Sequence, residues 1–243
     1  GEEQHYVEKV VWLPDTYQSN DDKRQIGVDT PGRAQAGLPE DAFVFCCFNN
    51  SYKFTPEMFD VWMKILSQVE NSVLWILESN DALVPNLRRE AERRGVAGTR
   101  IVFAPFVKLA EHLARQRLGD LFLDSLPYNA HTTASDALWA GLPLITCKGK
   151  AFPGRVAASL LSALRMPELI TENFEDYERW AVSLARDKAR LSAVRTKLSE
   201  NRLVAPLFDT ARFTRHVESA FLTMHKRSVG GLAPESFAVS SEN

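Results

Sequence analysis

A hydroxyl-rich segment, YNAHTTASDALWAGLP, occupies residues 128–143, directly after a short apolar run. Thr132 and Thr133 are residue types that cap a helix N-terminus, and Gly141 is typical of a helix end. A helix N-terminus presents unpaired N–H groups and the positive end of the helix dipole, which together favour a phosphate. Asp136, about one turn into the helix, is placed to accept hydrogen bonds from a ribose.

The same segment has a simpler explanation. Threonine and serine before a helix are ordinary capping residues, and most strand–loop–helix units bind no ligand. His131 stands at the mouth of the predicted helix, where it can contact whatever the helix binds. A phosphate site and plain capping therefore both remain open on this segment alone.

Two more groups that can bind phosphate follow an earlier apolar run, residues 42–49. Asn50 can donate an amide hydrogen to a phosphate oxygen, and Lys53 can place its ammonium group against a diphosphate. Asn-Asn-Ser is also common turn chemistry, and a lysine is most often a solvated charge. Taken alone, the turn and the solvated charge are the better supported interpretation.

His112 and Arg115 lie three residues apart, on one face of a predicted short helix. An imidazole ring can stack on a nucleobase, and a guanidinium can reach a base carbonyl. Backbone groups around Val107 are placed to contact the edge of the same base. The alternative is a surface helix with an exposed histidine and an exposed arginine.

Apolar runs alternate with helical patterns along the chain, which predicts βαβ units and a parallel sheet. The predicted strands are residues 42–49, 72–78, 100–105, 120–123 and 142–147. The predicted helices are residues 55–69, 86–94, 109–117, 134–140, 154–164, 174–186, 188–201 and 208–226. All the candidate residues fall on loops after strands, where open parallel sheets bind ligands, so the pattern indicates a nucleotide or nucleotide-sugar site. The chain has no G-x-G-x-x-G and no Walker-type loop, which argues against NAD and ATP.

The composition argues against two classes of partner, nucleic acids and membranes. With 29 basic and 31 acidic residues, the formal net charge of −2 predicts no attraction to nucleic acid or to an anionic membrane. No apolar run is long enough to span a bilayer, and no signal peptide is visible. Three cysteines without metal-type spacing indicate buried, reduced thiols in a cytoplasmic protein.

Four segments resemble the C-terminal catalytic half of the O-GlcNAc transferase/SPINDLY glycosyltransferase family: FNNSYKFTPEMFDVWMKIL, SVLWIL, EHLARQRLGDLFLDSLPYNAHTTASDALWAGLPLIT and RVAASLL. The resemblance covers about residues 40–226, and its most specific parts are HTT-x-x-D-x-LW-x-G-x-P and RVAAS. It implies the C-terminal half of a GT-B glycosyltransferase, a Rossmann-like parallel sheet flanked by helices that holds a nucleotide-sugar donor.

The resemblance also implies a role for each matching residue. Lys53 is the catalytic residue that contacts the diphosphate and stabilises the charge of the leaving group. The donor-binding roles are phosphate contact for Asn50, uracil contact near Val107, uracil stacking for His112, uracil hydrogen bonding for Arg115, placement of the sugar for His131, diphosphate binding for Thr132 and Thr133, and ribose binding for Asp136. A lysine that some members use on the ribose has no match, because Leu109 stands there and Lys108 precedes it.

The implied reaction is inverting transfer of GlcNAc from UDP-GlcNAc to serine or threonine hydroxyls of proteins, without a metal or other cofactor. Residues 1–39 are expected to be a lead-in and linker that forms the tail of an N-terminal catalytic domain. Residues 40–204 are expected to be the donor-binding domain, residues 205–227 a crossover helix and residues 228–243 a disordered tail. Without that catalytic domain and its tetratricopeptide repeats, the chain is expected to be inactive. Two alternatives stay open: a SPINDLY-type O-fucosyltransferase that uses GDP-fucose, which the pair His131 and Asp136 disfavours, and a non-catalytic nucleotide-binding module.

Overall fold

A computed structural model describes residues 3–241 and builds them around a six-stranded parallel sheet. The strands, numbered along the chain, are β1 Val11–Trp12, β2 Phe43–Cys47, β3 Ser72–Leu77, β4 Ile101–Ala104, β5 Leu121–Leu123, β6 Leu144–Cys147, β7 Ile170–Thr171 and β8 Phe237–Ala238. The main sheet has the order β4-β3-β2-β5-β6-β7, and β1 pairs with β8 apart from it. The predicted α/β class is confirmed, and the five predicted strands are β2 to β6, with ends that differ by at most two residues.

Helices flank the sheet and follow its strands. They are α1 Pro56–Gln68, α2 Leu83–Arg93, α3 Leu109–Arg115, α4 Thr132–Ala140, α5 Val156–Ala163, α6 Phe174–Arg186, α7 Lys188–Val204 and α8 Thr210–Val229. The start of α1 is as predicted, because Thr55 Oγ1 accepts from the N–H of Met58 at 3.2 Å and Pro56 occupies the first position. Helix α2 begins three residues earlier than predicted, where Asn80 Oδ1 accepts from the N–H of Leu83 at 3.0 Å.

The strand order creates one topological switch point. From β2 the chain moves outward to β3 and β4, and it then returns to the other side of β2 to form β5, β6 and β7. This is the strand order of the Rossmann fold, in which ligands bind beyond the carboxyl ends of the strands where the order reverses. Here that point lies between β2 and β5, so the loops after these two strands are the ones expected to carry a site.

The sequence analysis did not predict the outermost strand, β7. It has two residues, which pair with Thr146 and Cys147 of β6. A pattern of alternation needs about four residues to be visible, so a strand this short leaves no periodic signal. The three cysteines, all in the described part of the chain, are buried free thiols, as predicted.

The two chain ends pair with each other. That residues 1–39 form a lead-in and linker stays a prediction, but the tail at residues 228–243 was expected to be disordered. Instead, Phe237 donates its N–H to Val10 O at 3.2 Å, and Val239 donates to Trp12 O at 2.9 Å. These partners lie more than 200 residues apart, so no local pattern could reveal the pairing. Residues 242 and 243 lie outside the described residues.

Helix α8 buries less of its apolar stripe than its sequence pattern predicts. Ala220 is buried, but Phe221 is 62% exposed and Met224 is 39% exposed, whereas His216 is buried. The helix itself was predicted correctly, but helical spacing of apolar residues did not indicate which of its side chains are buried in the described part of the chain. Among residues 3–241, no helix is both long and apolar enough to cross a membrane. The cytoplasmic location stays a prediction.

Candidate functional site

Asn49 follows β2 at the switch point and is fully buried. Its Nδ2 donates to Ser125 Oγ at 2.8 Å and lies 3.5 Å from Asp124 Oδ1, and its Oδ1 accepts from the Thr133 hydroxyl. One buried amide therefore joins the loops after β2 and β5 to the first turn of α4. Asn49 was not predicted, because the turn residues Asn-Asn-Ser do not indicate which amide is buried. Asn50 is exposed, and its contact with phosphate stays a prediction.

Asp124, directly after β5, is the buried carboxylate of the site. Its Oδ1 accepts from the N–H of Ser125 at 2.8 Å and of Ala130 at 2.6 Å, and its Oδ2 accepts from the Thr146 hydroxyl at 2.6 Å. Burial raises the pKa of Asp124 to about 7, against these hydrogen bonds, which lower it. The sequence analysis missed this residue too, although a carboxylate directly after an apolar run was the available signal.

Lys53 reaches from the loop after β2 to the loop between β5 and α4. Its Nζ donates to Asn129 O at 3.2 Å and lies 4.3 Å from the centre of the Tyr128 ring. Burial lowers the pKa of the Lys53 ammonium, and the nearby Asp124 carboxylate opposes this effect. The half-buried ammonium is thus held at the carboxyl edge of the sheet by a carbonyl and an aromatic face.

The start of α4 differs in one respect from its prediction. The N-cap is His131, which makes no capping hydrogen bond with its side chain, so the predicted hydroxyl caps are wrong. The Thr133 hydroxyl is used instead on the loop after β2, and Ser135 Oγ accepts from Gln18 Nε2 at 2.7 Å. The first N–H groups of any helix have no partner within it, so the end of α4 at Thr132 still offers donors for an anion.

His131 is held beside this helix end by two contacts. Its ring stacks on Tyr128, with 4.9 Å between ring centres, and its Nε2 lies 3.2 Å from Pro153 O. Burial lowers the pKa of His131. Because Lys53 contacts the same tyrosine ring, one aromatic side chain joins the residue predicted to contact the diphosphate to the residue predicted to place the sugar.

Arg115 supports His112 from the protein interior. It is 5% exposed, and its Nε and Nη2 lie 3.1 and 2.9 Å from His112 Nδ1. Its Nη1 donates to Pro105 O at 2.5 Å, and its guanidinium carbon lies 5.1 Å from the centre of the Phe48 ring. The alternative of an exposed arginine on a surface helix is therefore wrong. The predicted contact of Arg115 with uracil stays a prediction.

We expect His112 to stay neutral across the physiological pH range. Burial, with a smaller contribution from the Arg115 charge, lowers its pKa from 6.5 to about 4. Because the pKa is lowered on folding, the stability that neutral His112 contributes is complete above about pH 6.5 and is lost as pH falls through 4.

An NMR titration of the histidine ring signals between pH 3.5 and 8 measures this value. The His112→Gln variant assigns the signal by its disappearance. A midpoint near 4 is expected, and a midpoint near 6.5 would contradict the burial of this ring against Phe48.

The remaining two candidates lie in different surroundings. Val107, after β4, is 38% exposed, and the contact of its backbone with the base stays a prediction. Asp136 is 6% exposed and forms an ion pair with Arg24, which comes from the segment predicted to be a linker. The sequence analysis missed Arg24 because nothing in the local sequence indicates where a loop folds back. The ribose role of Asp136 stays a prediction.

The contacts bring three of the predicted residues, Lys53, His112 and Thr133, to the carboxyl edge of the sheet. The Phe48 ring lies 5.1 Å from the His112 ring, the next residue, Asn49, contacts Thr133, and Lys53 reaches the loop before α4. An aromatic ring at one end, and an ammonium group with a helix N-terminus at the other, match a base and a diphosphate. Asn50 is exposed, and only its carbonyl joins this network, because it accepts from the N–H of Lys53 at 3.0 Å. Within residues 3–241, no group of three or more His, Cys, Asp and Glu side chains is arranged to hold a metal ion.

Sequence comparisons match the chain to glycosyltransferases. The sequence profile of glycosyl transferase family 41 matches residues 14–217. The probable UDP-N-acetylglucosamine–peptide N-acetylglucosaminyltransferase SEC of Arabidopsis thaliana is 40% identical over 240 residues, which cover 96% of this chain and 25% of that protein. The UDP-N-acetylglucosamine–peptide N-acetylglucosaminyltransferase of Caenorhabditis elegans is 38% identical over 200 residues, 82% of this chain and 17% of that protein. The chain therefore spans a quarter or less of the length of these relatives.

Solved structures agree with this match. An O-GlcNAc transferase mutant from Thermobaculum terrenum superposes with a TM-score of 0.72 at 32% identity, over 76% of this chain and 38% of that one. Anabaena HepE, solved in complex with UDP, superposes with a TM-score of 0.57 over 79% of this chain and 51% of that one. At 14% identity, HepE shows a likeness of fold alone.

Proposed function

The chain belongs to glycosyl transferase family 41, and on that basis we propose that its crevice binds UDP-GlcNAc as the donor of an inverting, metal-independent transfer to protein serine or threonine hydroxyls. The observation that carries the proposal is the contact network that joins His112, Lys53 and the start of α4 at one switch point. Relatives named as UDP-N-acetylglucosamine–peptide N-acetylglucosaminyltransferases are 40% and 38% identical to this chain, which supports the choice of donor.

Lys53 and α4 supply the positive charge that this reaction needs. Cleavage of the bond between the sugar and the phosphate oxygen leaves a second negative charge on the β-phosphate of UDP. A held ammonium group and a helix N-terminus stabilise that charge without reorganising during the reaction. Asn129 O and the Tyr128 ring keep Nζ in place, so Lys53 is the residue we assign to leaving-group stabilisation.

The other predicted residues are proposed to contact the nucleoside, the diphosphate and the sugar. Neutral His112, held by Arg115, offers a flat ring on which uracil stacks, and the backbone near Val107 contacts the edge of the base. Thr132 and Thr133 bind the diphosphate at the start of α4, and His131 contacts the sugar. Asp136 accepts from the ribose, and Asn50, although exposed, stays a candidate for phosphate contact.

The part of the transferase that binds the acceptor is proposed to lie outside this chain. Because the chain spans only part of its relatives' length, we propose that a further catalytic domain and tetratricopeptide repeats supply the acceptor side. The acceptor is a protein hydroxyl, and no nucleic acid or membrane takes part. Three buried free thiols fit a reducing compartment such as the cytoplasm.

Calorimetric titration of the chain with UDP, UDP-GlcNAc, GDP and GDP-fucose tests the donor. UDP and UDP-GlcNAc are expected to bind more tightly than the guanine nucleotides. The Lys53→Ala variant is expected to lose about 1–3 kcal/mol of UDP binding free energy, because it removes a charged hydrogen-bond donor. Lys64→Ala, at an exposed lysine on α1, is the matched control and should bind UDP like the unaltered chain.

The outcomes separate the alternatives. Tighter binding of GDP and GDP-fucose than of UDP and UDP-GlcNAc would favour the alternative of a SPINDLY-type fucosyltransferase. A folded chain that binds neither nucleotide would refute the site. Equal UDP affinity in Lys53→Ala and Lys64→Ala would remove Lys53 from its role.

A further inference from the structure

The segment of residues 18–27, predicted to be a linker, lies against the two helices that border the nucleoside end of the crevice. Gln18 Nε2 donates to Ser135 Oγ of α4 at 2.7 Å, and Gly27 donates its N–H to Ala110 O of α3 at 2.9 Å. A Cβ atom at Gly27 would lie 3.0 Å from that same carbonyl, so the backbones approach closely. The segment therefore runs from the helix of Asp136 to the helix that carries His112.

Arg24, between these two anchor points, is held through its side chain and its backbone. Its Nη1 pairs with Asp136 Oδ1, and its carbonyl accepts from Trp139 Nε1 at 3.0 Å. Asp136 and Trp139 are three residues apart and share a face of α4. The Arg24 side chain is 17% exposed, and the Asp136 side chain is 8% exposed.

The pair leaves one carboxylate oxygen available. Asp136 Oδ1 accepts from Arg24, while Oδ2 makes no hydrogen bond with the described residues and is not among their buried, unpartnered polar atoms. Burial raises the pKa of Asp136, and the Arg24 charge opposes that rise. A carboxylate fixed through one oxygen presents the other in a defined direction.

We propose, on the basis of the proposed function, that Arg24 is a positioning residue for ribose recognition, which fixes Asp136 so that Oδ2 accepts from a ribose hydroxyl. Arg24 acts through Asp136 and need not touch the nucleotide. The segment of residues 18–27 contacts both α3 and α4, so it also helps to fix the distance between the base and ribose positions.

The test compares UDP with 2′,3′-dideoxyuridine diphosphate, which lacks both ribose hydroxyls, in calorimetric titrations. The unaltered chain is expected to prefer UDP by about tenfold, the effect of a hydrogen bond to a charged group. In Arg24→Met that preference is expected to fall to within about twofold. Asp136→Asn should show the same loss, and the double variant no further loss, because both substitutions remove one recognition element. Arg89→Met, at an exposed arginine on α2, should keep the tenfold preference.

The test depends on the ratio of the affinities for UDP and the dideoxy analogue, and not on the UDP affinity alone. A purely structural role of Arg24 would weaken both ligands equally and keep the tenfold preference, which would overturn the inference. Tighter UDP binding in Arg24→Met would also overturn it, because Arg24 would then obstruct the ribose site. If Arg24→Met does not fold, Arg24→Gln keeps one donor and is expected to prefer UDP by about threefold; an unchanged tenfold preference would count against the proposal. Failure of the unaltered chain to bind UDP would refute the proposed function itself.

Discussion

Replacement of Asp124 by alanine is expected to lower the free energy of unfolding by about 3–5 kcal/mol. The substitution leaves three buried donors without an acceptor: the N–H groups of Ser125 and Ala130 and the hydroxyl of Thr146. Each unpaired buried donor costs about 1–3 kcal/mol, and relaxation of the loop recovers part of the sum. Urea denaturation measures the change. UDP binding should weaken as well, because these bonds shape the loop that carries Asn129, the partner of Lys53.

Asp81→Ala, at an exposed aspartate, is the matched control and should change stability by no more than about 0.5 kcal/mol. A loss below 1 kcal/mol in Asp124→Ala would mean that water or loop movement satisfies the three donors. Either result decides whether the loop between β5 and α4 depends on this carboxylate.

The titration of Asp124 is expected to make the free energy of unfolding depend on pH. Burial raises its pKa to about 7 in the folded protein, so the folded state keeps a proton that the unfolded state loses above about pH 4. The stability contributed by the protonated carboxyl is therefore complete below pH 4 and is lost as pH rises through 7. Asp124→Asn cannot titrate, so the difference in unfolding free energy between this variant and the unaltered chain should change between pH 5 and pH 8. A constant difference across that range would contradict the raised pKa.

Most strands of the main sheet could be predicted because apolar runs and the polar residues that end them are local signals. Strands β2 to β6 are apolar runs with polar ends, and each run is long enough to see. Once those strands are parallel, the loops after them must meet at one edge, which places Lys53, His112 and Thr133 together without knowledge of any contact. Asn49 shows the limit, because the sequence does not indicate which of two adjacent asparagines is buried against the loop after β5.

Contacts between distant segments could not be predicted in the same way. Arg24 pairs with Asp136 across 112 residues, and β1 pairs with β8 across more than 200. Neither leaves a periodic pattern, and the segment around Arg24 is rich in Asp, Gly and Pro, which is typical of linkers. Its docking depends on side-chain bonds to α4 rather than on regular structure. A single sequence therefore does not reveal which residues from outside the main sheet contact a site.

Arg115→Ala is expected to lower the free energy of unfolding by about 3–4 kcal/mol and to raise the pKa of His112 above its value of about 4. The side chain bonds to Pro105 O and His112 Nδ1 and packs against the ring of Phe48. Its removal takes away the side-chain donor to the Pro105 carbonyl and opens a cavity behind the imidazole. The His112 pKa should rise because the arginine charge is gone and because water reaches the ring, which reduces the desolvation that holds the pKa down.

Arg115→Met separates the two causes, because it fills most of the volume but carries no charge or donor. We expect its stability to lie between those of the alanine variant and the unaltered chain, and its His112 pKa to rise less than in Arg115→Ala, since burial is the larger cause. Arg179→Ala, at an exposed arginine on α6, should change neither quantity. If Arg115→Ala left both the stability and the His112 titration unchanged, the arginine would be free to turn toward a ligand, and the direct uracil contact implied by the family resemblance would become the better account of this residue.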